Sequence, residues 1–400
     1  MNDKEASPHP RPVSVRLVSL DAFRGAIMLL MASGGLAMPH IAKEFPDNPF
    51  WQWMGVHTEH AAWAGCTLWD LIQPAFMFMV GVALPWSIAN RKNRGETLWQ
   101  SWRHALVRSI VLVLLAVFLS SAWNKQTEWV FPNVLAQIGL GYPILFLVAN
   151  GKNWMQWAAT FLILIGYWLA FAWYPVAPAD FDWSAVGVPE DWTHLTGFAT
   201  HWDKNFNFAA RFDQWFLNLF PREEAFVFNR GGYQTLNFVP SIATMIFGLL
   251  AGQMMRNGSS MWTKVRWLLI FGLMGLLAGL VLDQTGICPI VKRIWTPSWT
   301  LFSAGWVCWL MALFVFLIEC LQLKKWAFAL VVAGLNPITL YCMWQLSAGF
   351  VRDNLKRHIS PDIFSWMGAT YEPMLQRGLV LGVLWWVLFW MYRRKIFIRI

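Results

Sequence analysis

About ten stretches of roughly 20 mostly apolar residues dominate this chain, and each is long enough, at 1.5 Å rise per residue, to cross a bilayer as a helix. They lie near residues 17–40, 68–89, 102–122, 133–150, 154–174, 237–255, 265–283, 298–320, 326–347 and 373–392. With 57% hydrophobic and only 13% charged residues, the chain has more apolar surface than one soluble core could hide, so the excess must face lipid. The predicted fold is therefore all-α: a polytopic membrane protein of about ten transmembrane helices, nine to eleven if one is interfacial or broken. The 29 Trp and 30 Phe residues suit rings seated at the two membrane interfaces, and so much Trp would also suit sugar stacking.

Topology follows from where the bases fall. One set of connecting segments carries Lys4, Arg11 and Arg16, then Arg91, Lys92, Arg94, Arg103 and Arg108, then Lys152, Arg256, Lys264, Arg266, Lys324 and Lys325, and finally Arg393, Arg394, Lys395 and Arg399. The alternate loops hold most of the acids, among them Glu44, Glu59, Asp180, Asp182, Asp203, Asp213, Glu223 and Glu224. Basic segments stay inside, so both termini are predicted to be cytoplasmic. The expected organisation is a tail at 1–16, a transmembrane domain at 17–392 with a large outer loop near 175–236, and a tail at 393–400. Asp21 and Arg24 interrupt the first apolar run, so it reads as a retained helix and not as a cleaved signal.

The net charge of +9 sits in short loops between apolar segments, a pattern of membrane topogenesis and not of nucleic-acid binding. Five scattered cysteines, Cys66, Cys288, Cys308, Cys320 and Cys342, have no spacing suited to a metal site or a disulfide framework, and no metal is expected. The two halves carry no matched broken helices of the inverted-repeat kind.

Polar residues in or beside the apolar runs are the functional candidates. Asp21 and Arg24 stand three apart on one helical face, where burying either alone is costly. They form either a salt bridge that locks packing or part of a ligand site, with Arg24 placed to meet a phosphate. The stretch from Thr58 to Gly81 puts His60 in an outer loop and Asp70 at the outer end of the second helix. An imidazole at an aqueous mouth with a carboxylate beneath it suits general-base or covalent acyl chemistry; a histidine beside Glu59 also reads as a solvated surface pair. Asn133 with Gln137, Tyr233 with Asn237 and Ser241, Lys292 with Arg293 and Trp295, and Asn336 with Gln345 are further candidates, either interhelical hydrogen bonds or pocket lining.

Several blocks in collinear order resemble the heparan-alpha-glucosaminide N-acetyltransferase catalytic-domain family, bacterial members included. They are Ser19-Leu-Asp21-Ala-Phe-Arg24-Gly25, His60-Ala-Ala-Trp63-Ala-Gly65-Cys-Thr67-Leu-Trp-Asp70 running into Pro74 and Gly81, Asn133 to Tyr142, Pro240 to Gly252, Lys292-Arg-Ile-Trp295-Thr-Pro-Ser298, and Gly334-Leu-Asn336-Pro-Ile-Thr-Leu-Tyr341. The resemblance implies a multi-helix enzyme that uses acetyl-CoA from the cytoplasm to acetylate an amino sugar on the opposite side. It places the essential histidine on His60, with Asp70 orienting it, and leaves open an acetyl-histidine intermediate or direct attack with His60 as base. Arg24, Asp21, Asn133, Gln137 and Asn336 are expected to face acetyl-CoA; Glu59, Trp63, Tyr233, Asn237, Lys292 and Trp295 are expected to face the acceptor. The 175–236 loop does not match the animal enzymes closely, so the expected acceptor is a cell-wall, chitin-derived or exopolysaccharide amino sugar in a bacterial inner membrane, with a homodimer as the candidate assembly. The first helix also resembles a second membrane acyltransferase superfamily, but lacks the histidine that follows there. An amino-sugar transporter is the competing class.

Overall fold

The computed structural model describes residues 17–398, so the predicted tail at 1–16 with Lys4, Arg11 and Arg16, and Arg399 at the other end, lie outside the described residues. The chain is an all-helical polytopic membrane protein. Among the described residues, eight helices are long and apolar enough to cross a membrane, or nine if one bent pair counts as a span. The first predicted segment is α1 (Val18–Ser33) continuing, through a kink at Gly34–Ala37, into α2 (Met38–Glu44); α3 (Pro49–His57) folds back on α2. Then come α4 (Ile72–Asn93), α5 (Leu98–Ser121), α6 (Val134–Ala149) and α7 (Asn153–Ala172), a long loop holding α8 (Phe208–Phe216), and α9 (Phe238–Arg256), α10 (Met261–Gln284) and α11 (Pro297–Val315). The chain closes with α12 (Phe328–Leu335), α13 (Pro337–His358) and α14 (Glu372–Arg393).

Two of the ten predicted segments depart from a simple span. The fourth, α6, has 16 helical residues and falls short of a full crossing at 1.5 Å per residue. The ninth breaks at Asn336, where α12 and α13 meet at 80°. Pro337 at the start of α13 disfavours a helical conformation for the residue before it, which explains the break at this position. Asn336 then donates from Nδ2 to the Ile396 carbonyl at 3.0 Å and accepts from the Ile398 amide at 2.9 Å, tying the end of the chain to the corner.

The bundle is graded from centre to edge. In α4 and α9, 61% of the most apolar window is buried, against 28% in α5 and α10 and 22% in the span containing α14, so the last three face lipid. Lipid tails give apolar side chains no reason to prefer one another, and close packing at small residues supplies the attraction. Gly81 on α4 lies against the backbone of Met245 and Leu249 on α9, while Gly248 and Gly252 on α9 lie against Phe78 and Val82 on α4; a Cβ at any of the three would collide with main chain. At the far end of α1, the Glu319 carboxylate accepts from the Ser19 amide at 3.0 Å, an acid at a helix N-terminus where the exposed N–H groups favour it.

The 173–234 loop lies at the end of the bundle where α4 and α9 begin. A second apolar cluster joins it to the membrane domain: Trp63, Tyr167, Phe171, Trp202, Ala209, Cys288, Val291 and Ile294 pack together. Asp213 on α8 is fully buried and accepts from the Thr235 amide at 2.9 Å through Oδ2, while Oδ1 has no hydrogen-bond partner among the described residues. Burial pushes its carboxyl from 3.8 up to about 7.

Gly248→Leu should force α4 and α9 apart and lower stability by about 3 kcal/mol, read as a lower unfolding midpoint of the detergent-solubilised protein; an unchanged midpoint would contradict the packing. Because folding raises the Asp213 pKa, its stabilising contribution is complete below 3.8 and is lost as pH rises through about 7. Asp213→Asn should therefore flatten the fall in thermal stability between about pH 4 and about pH 7, and an identical slope in the variant would exclude the effect.

Candidate active site

Two loops build the site, 58–71 between α3 and α4 and 285–296 between α10 and α11. They are joined by the Gly65 amide donating to the Ile290 carbonyl at 2.8 Å and by an isolated antiparallel bridge between Ala64 and Val291. Thr67 begins a short helical turn, Leu68–Leu71, that leads into α4 and carries Asp70. Asp70 Oδ2 accepts from the Ala61 and Thr67 amides, each at 3.1 Å. The Thr67 hydroxyl stands between the Glu59 carbonyl (2.6 Å) and that same Oδ2 (3.1 Å).

Asp70 Oδ1 faces His60 Nδ1 at 2.7 Å and accepts from Lys292 Nζ at 3.1 Å; Lys292 Nζ also lies 2.9 Å from His60 Nδ1. The side chains of Asp70 and Lys292 are 0% and 5% exposed, while that of His60 is 39% exposed. Nδ1 thus lies between an acceptor, the Asp70 carboxylate, and a donor, the Lys292 ammonium; in the tautomer that donates from Nδ1 to Asp70 the Nε2 lone pair is the open position. Burial lowers the Lys292 ammonium from the usual lysine range, and the Asp70 charge opposes that fall. Lys292 supplies the countercharge that Asp70 needs, so His60 does not have to. Burial pushes the thiol of nearby Cys66 up to about 12, which disfavours the thiolate.

Lys292 is held by an anchored loop. Trp295 adopts φ +47°, a left-handed conformation that side chains rarely take, and is 1% exposed with Nε1 3.4 Å from the Thr244 hydroxyl. Burying the indole offsets the backbone strain. Thr296 caps α11 through the Trp299 amide and donates to the Pro289 carbonyl at 2.7 Å, which closes the loop. Arg293 donates to the carbonyls of Ala61 (3.2 and 3.1 Å) and Gly231, tying His60's neighbour to the long loop, and Asn237 donates to the Arg293 carbonyl at 2.8 Å.

The predicted site residues therefore separate into groups. His60, Asp70 and Lys292 come together, and Tyr233 stands edge-on to His60 with ring centroids 6.5 Å apart. Glu59 is exposed beside them and contributes its carbonyl. Trp63 and Trp295 are 5% and 1% exposed and pack inside, so neither presents a face to an acceptor; Asn237, equally buried, positions Arg293. Asn133 caps α6 through the Ala136 amide, and Gln137 accepts from Gln73 Nε2 at 3.0 Å, one turn below Asp70. Asp21 and Arg24, 3.5 Å apart, lie at the opposite end of α1, and Asn336 is spent on the chain terminus, so these three stand away from His60. Sequence reasoning missed Gln73 and Lys204 and gave Thr67 no role of its own. Thr67, three residues before a carboxylate at a helix start, matched the capping-box pattern that would have found it.

Residues 16–184 match the model of a domain of unknown function, DUF5009. The heparan-alpha-glucosaminide N-acetyltransferases of Homo sapiens and Mus musculus are each 21% identical, over alignments of 436 and 433 residues that cover 96% of this chain and 60% of each relative. The chain thus spans about three fifths of the length of the curated relatives it matches. The fold defines a polytopic membrane protein, and the similarity of its sequence is to N-acetyltransferases.

Lys292→Met should strand the buried Asp70 charge and cost about 3–5 kcal/mol, with Asp70→Asn in the same chain recovering much of the loss. Unfolding midpoints of wild type, both singles and the double variant test this; strictly additive losses would show that the two charges are not coupled.

Proposed function

We propose that the protein is a membrane-bound acetyltransferase that moves an acetyl group from acetyl-CoA to the amino group of a glucosamine-type sugar at the face carrying His60. The observation that carries this reading is the half-exposed imidazole of His60 backed by a buried carboxylate whose charge Lys292 already balances. His60 Nε2 takes a proton from the acceptor amine as its nitrogen bonds to the acetyl carbon, the thioester C–S bond breaks, and the imidazolium returns the proton to the departing thiolate. Asp70 holds the Nδ1 proton in place throughout, as a carboxylate does for a histidine base. The distant similarity to the mammalian N-acetyltransferases supports the same chemistry.

The basic segments around Arg91, Arg256, Lys324 and Arg393 support an orientation with the other end of the bundle in the cytoplasm, in a bacterial inner membrane on this reading. At that end Arg24, paired with Asp21 and about a quarter exposed, is the proposed contact for the phosphates of acetyl-CoA, with the pantetheine arm directed toward His60. A second reading, an amino-sugar transporter, is favoured by one observation, the 80° break at Asn336.

Transfer of label from radioactive acetyl-CoA to glucosamine and other amino sugars by the purified protein tests the first reading. His60→Ala should lose about 10²–10⁴-fold in turnover, the usual contribution of a positioned acid–base group. No transfer together with uptake of the sugar into reconstituted vesicles would hand the function to transport. Label retained on His60 without acceptor would indicate a two-step route.

A further inference from the structure

Beside His60 lies a second feature that acetyl transfer to a simple amine does not use. Lys204 sits in the long loop with its stem largely covered, while its ammonium reaches solvent and among the described residues makes no hydrogen bond and no salt bridge. Its one close partner is the ring of Trp192, 4.3 Å from the ammonium to the centroid. The lysine is not adrift. Asn205 holds a left-handed backbone at φ +59° and donates to the carbonyls of Val186 (2.8 Å) and Asn229 (3.0 Å), while Asn207 donates to the Asp203 carbonyl at 2.8 Å. Both flanks of Lys204 are fixed, and its stem lies against the backbone at Gly232.

Arg293 is the second cation on this wall. It lies over the Tyr233 ring at 5.3 Å, and its hydrogen bonds go to the carbonyls of Ala61 and Gly231, not to an acid. Its positive charge is felt at Lys204, where burial is the larger influence lowering the ammonium. The nearby acids do not offset the pair: Asp70 is taken by Lys292 and His60, Asp203 accepts from the Leu195 amide and faces His194, and Glu59 is exposed without a cation partner. Two neighbouring cations that no carboxylate pairs, one of them reaching solvent, make a positive wall that favours an anion.

We propose that Lys204 and Arg293 form an anion subsite next to His60, which takes a phosphate- or sulfate-type oxyanion carried by the acceptor sugar. Tyr233 and Trp192 each hold one of the two cations over a ring, which fixes where the charges stand. The identity of the acceptor rests on the acetyltransferase reading; the anion site does not.

Equilibrium dialysis of radiolabelled inorganic phosphate and sulfate against the detergent-solubilised full chain tests the site without turnover. Saturable binding that weakens with added chloride, falls by about tenfold or more in Lys204→Met and persists in Lys204→Arg is the expected result. Absent saturable binding, or equal binding in wild type and Lys204→Met, would overturn the site. Kinetics then assign its source. The ratio of kcat/KM for glucosamine 6-phosphate or 6-sulfate to that for glucosamine should fall by about tenfold in Lys204→Met. Should inorganic phosphate compete with acetyl-CoA and not with acetyl-pantetheine, the subsite belongs to the donor and its assignment to the acceptor fails.

Discussion

The buried carboxylate of Asp70 is the interaction on which the rest of the site depends. A lone ionised carboxyl at the head of a membrane helix would be expelled or neutralised. Here its oxygens receive two backbone amides, the Lys292 ammonium and the His60 imidazole. Each partner fixes something else: the amides set the path of 61–67, the lysine ties α11's leading loop to α4, and the histidine acquires one orientation. The orientation of the imidazole is thus a product of how Asp70 is satisfied.

That arrangement needs a rigid support, and the bundle supplies it at its most buried pair. Asp70 leads into α4, which meets α9 through glycines that bring the two backbones into contact. Trp295 plugs the opposing loop into α9 at Thr244, so both halves of the site rest on the same central helices.

Much of this was legible in the sequence because the bilayer imposes a coarse length rule. Eight apolar segments became spans, and the two that did not had visible reasons in hindsight: α6 is short, and Pro337 follows Asn336. His60 and Asp70 were readable as an imidazole above a carboxylate. Lys292 was read as facing an acceptor because nothing in spacing signals a pair 222 residues apart. Trp63 and Trp295 were misread for a related reason: an indole next to a charged motif looks like a sugar platform until its burial is known. Asn336 looked like pocket lining, although its amide was matched to the chain's own end. Lys204 had no pattern around it at all, since its setting is made by a loop fold that depends on Trp63, Trp202 and Asn229 arriving from three places.

The distance along the chain between Asp70 and Lys292 has a consequence for how such a protein is made. Synthesis delivers the acid and the histidine early, while the lysine emerges only after α10. Until that loop returns to Asp70, the carboxylate has no fixed countercharge and the imidazole no fixed partner geometry. A nascent or truncated chain therefore carries His60 and Asp70 without Lys292, and the three side chains meet only when the late helices have docked.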